Sequence, residues 1–261
     1  MATGRRTRER RGFVWWLAVA IVKPPLLLFT KPRWVDGHRL PSIDGAVVAA
    51  NHVSHADPLT FAHLIHDHGR LPRFLAKAAL FDVFFVGWVL RATGQIPVRR
   101  QTVDATRAFS SAVEAVGRGQ LVVVYPEGTL TRQPERWPMT GKTGAAHIAL
   151  VAGVPVVPVA QWGAQDLLPP YSTRPRLLPR TTVHAKVGPP VDLEDLRGRE
   201  ITPEVLREGT ERIMDAITAL LEDIRGEAAP PERFDPQRAG VRLTGNPDPH
   251  PRRGHSRKRN R

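Results

Sequence analysis

The sequence predicts an α/β fold of three layers, in which a mixed sheet is flanked by helices. Buried-strand patterns such as 46–50 (AVVAA) and 121–125 (LVVVY) alternate with segments whose apolar residues follow helical spacing. This alternation favours helices on both faces of a sheet with some parallel strand pairing. The 261 residues, 41% of them hydrophobic, suffice for one sizeable core with appendages. We therefore expect a helical, membrane-associating segment over 1–36, a folded domain over 37–226 and a tail over 227–261.

The pattern of each segment places the elements of the domain. Strands are expected over 46–50, 96–98, 121–125, 154–160 and 182–187, and helices over 58–66, 103–116, 143–152 and 202–224. Pro155 and Pro158 favour an edge strand or a bulge, because proline has no N–H for a strand ladder. The last helix is expected to begin at Thr202-Pro203, a capping residue followed by a proline in the first turn.

The N-terminal segment combines basic and apolar residues. An apolar run over 13–22 is interrupted by Lys23-Pro24-Pro25 and resumes over 26–29. A spanning helix needs about 20 unbroken apolar residues. We therefore expect an in-plane or shallow re-entrant membrane anchor, with Trp15 and Trp16 at the level of the headgroups. A helix of the soluble core is the alternative.

The net charge of +13 lies mainly at the two ends of the chain. Residues 1–36 hold eight Lys/Arg and two acidic residues, while 227–261 hold nine and four, so the body between them is nearly neutral. This distribution predicts attraction to a membrane surface with anionic lipid and no nucleic-acid partner. We expect a peripheral or monotopic protein on the cytoplasmic face of the cell membrane, with a disordered Pro/Arg-rich tail. Basic ends that bind no partner are the alternative.

The chain contains no cysteine, which excludes disulfides, thiolate zinc sites and a cysteine nucleophile. Five histidines between 52 and 68 suggest a metallohydrolase, but the spacing is His-x-x-His-x-Asp-Pro rather than His-x-His-x-Asp-His. Gly141-Lys142-Thr143 lacks the earlier glycine of a P-loop, since position 136 is Arg136. We expect neither a metal nor a cofactor.

The candidate catalytic residues are His52 and Asp57, which directly follow a buried strand. On a continuous helix they would lie about 140° apart and could not meet. Pro58 disfavours the α conformation at Asp57 and suits the first helical position, so Asp57 is expected to be the N-cap. The intervening turn can then bring His52 back to Asp57. A carboxylate on one imidazole nitrogen leaves the other free to accept a proton. A capping Asp57 and a merely packed His52 are the alternative.

This His-x4-Asp motif resembles that of the glycerolipid acyltransferase family, which includes the 1-acylglycerol-3-phosphate O-acyltransferases. Three further segments match the pattern of that family in the same order. They are Gly94-Gln95-Ile96-Pro97-Val98-Arg99-Arg100, Tyr125-Pro126-Glu127-Gly128-Thr129 and Val154-Pro155-Val156-Val157-Pro158. Each motif alone is weak, but four in order over about 110 residues are a specific match.

The resemblance implies a role for each matching position. His52 is implied to be the general base and Asp57 its orienting partner. Arg100 is implied to bind the phosphate of the acceptor, since a guanidinium matches phosphate oxygens bidentately. Glu127, Gly128 and Thr129 are implied to line the acceptor site, and Lys77 to add a further phosphate contact.

One position departs from the family pattern. Many members have arginine directly after Glu-Gly-Thr, where this chain has Leu130. Arg132 lies two residues further on and is the candidate to replace that arginine. Because of this departure, the motifs define the type of reaction more closely than the identity of the acceptor.

The resemblance implies acyl transfer from acyl-CoA or an acyl carrier protein to the hydroxyl of a lysophosphatidic acid-like acceptor, with no cofactor. Glycerol 3-phosphate or another lysolipid is the alternative acceptor. A different class of function, a non-enzymatic module that binds anionic lipid, also fits the charge distribution.

Overall fold

A computed structural model of the chain describes residues 11–98, 104–243 and 245–246. The helices are α1 (Phe13–Phe29), α2 (Asp57–Asp67), α3 (Phe84–Ala92), α4 (Asp104–Gly117), α5 (Gly144–Ala152), α6 (Ala164–Leu167) and α7 (Pro203–Arg225). The strands are β1 (Thr30–Val35), β2 (Ala46–Ala50), β3 (Pro72–Lys77), β4 (Ile96–Val98), β5 (Leu121–Val124), β6 (Val156–Trp162) and β7 (Thr181–Val187).

The strands form one mixed sheet in the order β1-β7-β6-β2-β5-β3-β4. Strands β4, β3, β5, β2 and β6 are mutually parallel, whereas β7 is antiparallel to β6 and β1 follows the direction of β7. The carboxyl ends of β2, β5 and β6 therefore lie at the same edge as the amino ends of β1 and β7. We call this the site edge.

Helices cover both faces of the sheet, because alternate residues of each buried strand point to opposite sides. Val47 and Ala49 of β2 pack with α4, α5 and α7, while Ala46, Val48 and Ala50 pack with α2. All five residues of β2 are fully buried, as expected for a central strand of a sheet covered on both faces. The three-layer α/β arrangement predicted from the sequence is confirmed.

Strand β6 differs from the expectation of an edge strand or a bulge. It lies between β7 and β2, in the interior of the sheet. Pro158 is accommodated there because it lies just before the first pair of the ladder with β7, Val159 opposite Val187, and its carbonyl accepts the Gly188 N–H at 2.9 Å. The absence of an N–H on Pro158 therefore removes no hydrogen bond from the paired residues of β6 and β7.

Helix α1 continues through Pro24 and Pro25, where the apolar run of the sequence is interrupted. Contacts on both sides of the two prolines hold it. Lys23 pairs with Asp67 of α2 at 2.7 Å, and Leu26 is buried against the loop after β2 and α6. Within the described residues, no helix has the length and apolar character that crossing a membrane would require.

Helix α7 begins as predicted, with the Thr202 side chain accepting the Val205 N–H and Pro203 in the first turn. Part of the segment expected to be a disordered tail, 227–243, has defined contacts because its charges are paired. Arg233 pairs with Glu211 and Asp215 of α7, and Phe234 forms a bridge with Met139. Residues 247–261 lie outside the described residues, and the division of the chain at 36 and 226 stays a prediction.

Helix α7 buries apolar side chains in the core, among them Ile213, Met214 and Ile217, and Ile217 supplies a test of this packing. Ile217 is fully buried between α7 and the sheet. Replacing Ile217→Ala should lower the free energy of unfolding by about 2–5 kcal/mol, through lost burial and the cavity left behind. Ile201→Ala, at an exposed position before the same helix, should change it by no more than about 0.5 kcal/mol. Urea unfolding followed by circular dichroism measures both, and equal losses would contradict the packing described.

Candidate active site

The residues of the His-x4-Asp and Glu-Gly-Thr motifs meet at the site edge. They lie on the loops that follow β2 and β5, two neighbouring parallel strands. In parallel α/β sheets, loops at the carboxyl ends of the strands form the usual binding crevice, because they converge at one edge. The register of β2 and β5, with Ala49 opposite Val124, places the two loops side by side.

His52 and Asp57 contact each other as the sequence predicts. The His52 Nδ1 atom lies 2.8 Å from Asp57 Oδ2. A carboxylate only accepts hydrogen bonds, so this contact places the imidazole proton on Nδ1 and leaves the lone pair on Nε2. The Asp57 side chain is 0% exposed and that of His52 is 15% exposed. The base is thus accessible while the group that orients it is not.

The turn between the two residues is held by the same carboxylate. Asp57 Oδ2 also accepts the Val53 and Ser54 N–H groups, at 2.6 and 2.8 Å. Asp57 is not the N-cap that the sequence predicts: α2 begins at Asp57, and Ala56 precedes it as the cap. The reason is that the carboxylate points back into the turn rather than forward to the helix N–H groups.

Glu127 cross-links the two loops. Its Oε1 accepts the His52 N–H at 2.9 Å and its Oε2 accepts the Met139 N–H at 3.1 Å. The Thr131 N–H in turn donates to the His52 carbonyl at 2.8 Å. Glu127 is 1% exposed, and this burial raises its pKa to about 8 against the opposing effect of the two backbone donors.

Further side chains fix the ring and backbone of His52. The Tyr125 ring stacks on the imidazole, with 4.2 Å between ring centroids and 16° between planes. Asn51 and Gln161, both buried, exchange three hydrogen bonds of 2.8–3.0 Å between side chain and backbone. These bonds join the ends of β2 and β6, so His52 emerges from a rigid pair of strands.

Thr129 and Arg132 are brought together by Tyr171, from the loop before β7. The Tyr171 hydroxyl contacts the Arg132 guanidinium and the Thr129 side chain, and its ring lies 5.9 Å from that of His55. Arg132 also donates to the Gly245 carbonyl at 2.9 Å, and its buried Nε has no hydrogen-bond partner among the residues that the structure describes. Leu130, which replaces the usual arginine, is buried.

Lys77 is a predicted residue that lies apart from His52. Lys77 is exposed at the end of β3, two strands from β2. Arg99 and Arg100 lie outside the described residues, although β4 brings the chain to the site edge just before them. Among residues 11–98, 104–243 and 245–246, no three His, Cys, Asp or Glu side chains cluster as metal ligands.

Comparison with known proteins gives the same family as the sequence motifs do. A family model described as Acyltransferase matches residues 33–162, which include both motifs. A chloroplastic 1-acyl-sn-glycerol-3-phosphate acyltransferase from Brassica napus is 30% identical over 62% of this chain and 46% of its own length. The alpha form of that enzyme from Ovis aries is 30% identical over 63% of this chain and 55% of its own. The chain therefore spans less than two thirds of either relative.

A solved structure extends the comparison to most of the fold. The 1-acyl-sn-glycerophosphate acyltransferase from Thermotoga maritima superposes with a TM-score of 0.60 at 26% identity, over 83% of this chain and 82% of that one. The chain belongs to the acyltransferase family. The family resemblance seen in the sequence is thereby confirmed.

In this member of the acyltransferase family, Glu127 is buried, and its implied place in the acceptor site stays a prediction. Both of its carboxylate oxygens accept backbone N–H groups, and the turn that follows at Gly128 has a φ of +69°. Gly128 remains at the surface of the site, where a Cβ atom would lie 3.2 Å from Lys142 Nζ.

Three residues near the acyltransferase site escaped the sequence analysis. Tyr125 and Gln161 lie within or beside matched motifs, and their polar or aromatic character at the end of a buried strand was a usable signal. Lys142 lies in a segment considered only as a P-loop. Its proximity to Gly128 depends on a hydrogen bond from its N–H to the Pro126 carbonyl, which no local pattern reveals.

Glu127→Gln tests the buried carboxylate. A pKa raised in the folded protein means that the carboxyl contributes most stability below its unfolded value, near 4.5, and loses it as pH rises toward 8. The free energy of unfolding of the wild type minus that of the neutral variant should therefore fall between those pH values. Urea unfolding of both proteins across this range measures it. A difference that stays level or rises with pH would show that Glu127 is ionised in the fold.

Proposed function

We propose that this protein transfers a fatty acyl group from an acyl thioester to the free hydroxyl of a lysophosphatidic acid, with His52 as the general base. The 2.8 Å contact between His52 Nδ1 and the buried Asp57 carboxylate carries the proposal. It leaves Nε2 as a proton acceptor on the accessible side of the ring. The names of the relatives from Brassica napus, Ovis aries and Thermotoga maritima support the acceptor.

The reaction is a direct transfer in this proposal. The acceptor hydroxyl gives its proton to His52 Nε2 while its oxygen attacks the thioester carbonyl carbon. The C–S bond then breaks, and the imidazolium returns the proton to the leaving thiolate. Asp57 stabilises the imidazolium through Oδ2, and a base held in this way contributes roughly 10²–10⁴ in rate.

Positive side chains at the site suit the phosphate of the acceptor. Arg132 is held by Tyr171 beside Thr129, and Lys142 lies beside Gly128. Arg132 thus supplies the guanidinium that Leu130 lacks, and a guanidinium is well suited to binding phosphate oxygens. Arg100 remains the candidate from the second motif.

The proposed acceptor is an amphiphile, so we place the protein at the cytoplasmic face of the cell membrane, peripheral or monotopic. Helices α1 and α3 contact each other, and together they expose large apolar side chains. These include Phe13 (79% exposed), Trp16 (50%), Leu28 (63%), Phe84 (91%) and Phe85 (58%). Contiguous exposed apolar surface of this kind marks a protein or membrane contact, and the basic ends favour anionic lipid.

The donor is acyl-CoA or an acyl carrier protein, and both have the thioester that the mechanism needs. Glycerol 3-phosphate or another lysolipid is the second candidate acceptor, favoured by Leu130 in place of arginine. A non-enzymatic lipid-binding module is the alternative class. It gives no reason for the buried carboxylate on an accessible imidazole.

The wild-type protein should form phosphatidic acid from lysophosphatidic acid and a labelled long-chain acyl-CoA. His52→Ala should lower the rate by roughly 10²–10⁴, because the proposed general base is lost, and Asp57→Asn should act in the same direction. Thin-layer chromatography of the labelled lipid measures the product, with acyl carrier protein donors and glycerol 3-phosphate assayed in parallel.

The matched control is His38→Ala, an exposed histidine that should leave the rate unchanged. Circular dichroism checks that each variant is folded. A folded His52→Ala variant with wild-type activity would refute the role of His52. A folded wild type that is inactive with every donor and acceptor would favour the lipid-binding module.

Arg132→Gln should raise the KM for lysophosphatidic acid about ten- to hundred-fold, since one charge-assisted phosphate contact is lost. It should change the KM for the uncharged monoacylglycerol far less. Steady-state kinetics with both acceptors measure the contrast. Arg118→Gln is the control, because Arg118 is an exposed arginine that directly follows α4 and pairs with Glu114 of that helix. An equal effect of Arg132→Gln on both acceptors would assign Arg132 a structural role instead.

A further inference from the structure

The loop between α6 and β7 has an unusual composition for an exposed segment. We call residues 169–180 (PPYSTRPRLLPR) the arginine–leucine loop. Every residue from Thr173 to Arg180 is exposed, and Leu178 keeps 78% of its surface in water. Two adjacent exposed leucines with arginines on both sides give the loop an apolar tip and a cationic collar.

The loop lies next to the end of α1. The Arg180 guanidinium donates to the Leu27 and Thr30 carbonyls, at 2.7 Å each. Thr30 pairs with Thr181 in the first position of the β1–β7 ladder, so the attachment continues the sheet. Leu27 and Leu28, both exposed, therefore lie beside the loop, and its apolar tip extends the apolar surface of α1.

The two stretches of sequence that contain the loop and helix α1 have no acidic residues. No acidic residue occurs between Asp166 and Asp192, or between Glu9 and Asp36. The second interval includes α1 and β1. Among the residues that the structure describes, no carboxylate forms a salt bridge with Arg174 or Arg176. A basic surface with an apolar tip is complementary to an anionic leaflet, because the guanidinium groups can bind headgroup phosphates while the leucine side chains are buried among the acyl chains.

We infer that the arginine–leucine loop is a second membrane contact, in which Leu177 and Leu178 enter an anionic leaflet and Arg174 and Arg176 bind lipid phosphates. This inference rests on the membrane association proposed above, and it names a contact separate from α1 and α3. An acidic acyl carrier protein would also suit the arginines. The leucines, continuous with the apolar end of α1, favour lipid.

The contact has a direct bearing on the site. Tyr171, in the same loop, contacts Thr129, Arg132 and the ring of His55. A loop seated on the leaflet therefore holds the candidate phosphate-binding arginine at the lipid surface. The acceptor can then reach His52 from the leaflet without passing through water.

A single-cysteine label tests the inference, because the natural chain has no cysteine. Leu178→Cys in the full-length protein is labelled with an environment-sensitive fluorophore. It is compared with Val151→Cys, an exposed position on α5 in the opposite helical layer. On vesicles of phosphatidylcholine with phosphatidylglycerol, the Leu178 label should shift to the blue and be quenched by lipid-borne quenchers. The Val151 label should not respond.

Charge removal gives a second measurement on unlabelled protein. The double variant Arg174→Gln/Arg176→Gln should lower the partition coefficient onto these vesicles about thirty-fold, since each basic residue at the surface contributes a several-fold factor. The matched double variant Arg118→Gln/Arg207→Gln removes two exposed arginines of the opposite layer and should leave it unchanged. Co-sedimentation measures the partition coefficient.

The outcomes separate this inference from the proposed function. Binding of the wild type to vesicles with a Leu178 label that stays in water would overturn the loop contact and leave the anchor on α1 and α3 standing. A wild type that does not bind vesicles would overturn both. A Leu178 label that responds to acyl carrier protein and not to vesicles would assign the loop to the donor and overturn the lipid contact.

Discussion

The hydrogen bonds from the His52 and Met139 N–H groups to the buried Glu127 carboxylate join three segments that are distant in the sequence. Each of the two donors would be left unsatisfied in the interior without this partner, at a cost of about 1–3 kcal/mol. The position of the His52 backbone therefore depends on the loop after β5, and that loop depends on the segment that carries Met139. The imidazole and the Tyr125 ring stacked on it both depend on this link for their positions.

Local chemistry made the His52–Asp57 contact predictable. A buried strand, a short turn and Pro58 fix where the helix can start, and only four residues lie between His52 and Asp57. The inward orientation of Glu127 could not be predicted in the same way, because its partners lie 75 residues before it and 12 after it. Motif resemblance locates such a residue at the site without showing which way it points.

Strands β1 and β3, which the sequence patterns do not predict, and helix α1, which contains two prolines, have a common explanation. Strand β1 (TKPRWV) lies at an edge and contains three polar residues and a proline, and β3 (PRFLAK) begins with a proline, so neither gives a buried-strand pattern. Helix α1 keeps two prolines because Lys23 and Leu26 are fixed by α2 and α6. In each case pairing with a distant segment outweighs the local preference of the chain. The α/β class itself was predictable because the central strands β2 and β5 carry a strong apolar signal.

The reversal of direction at β7 has a consequence for how this fold can diversify. Because β7 and β1 run against the other strands, the connection before β7 opens on the same edge as the loops after β2 and β5. The opposite edge holds mainly short connections, such as the three residues between α4 and β5. Changes of length or composition before β7 would therefore alter the surroundings of His52 without changing the register of the strands. A change confined to this connection would leave the sheet and the loops that carry His52 and Glu127 in place.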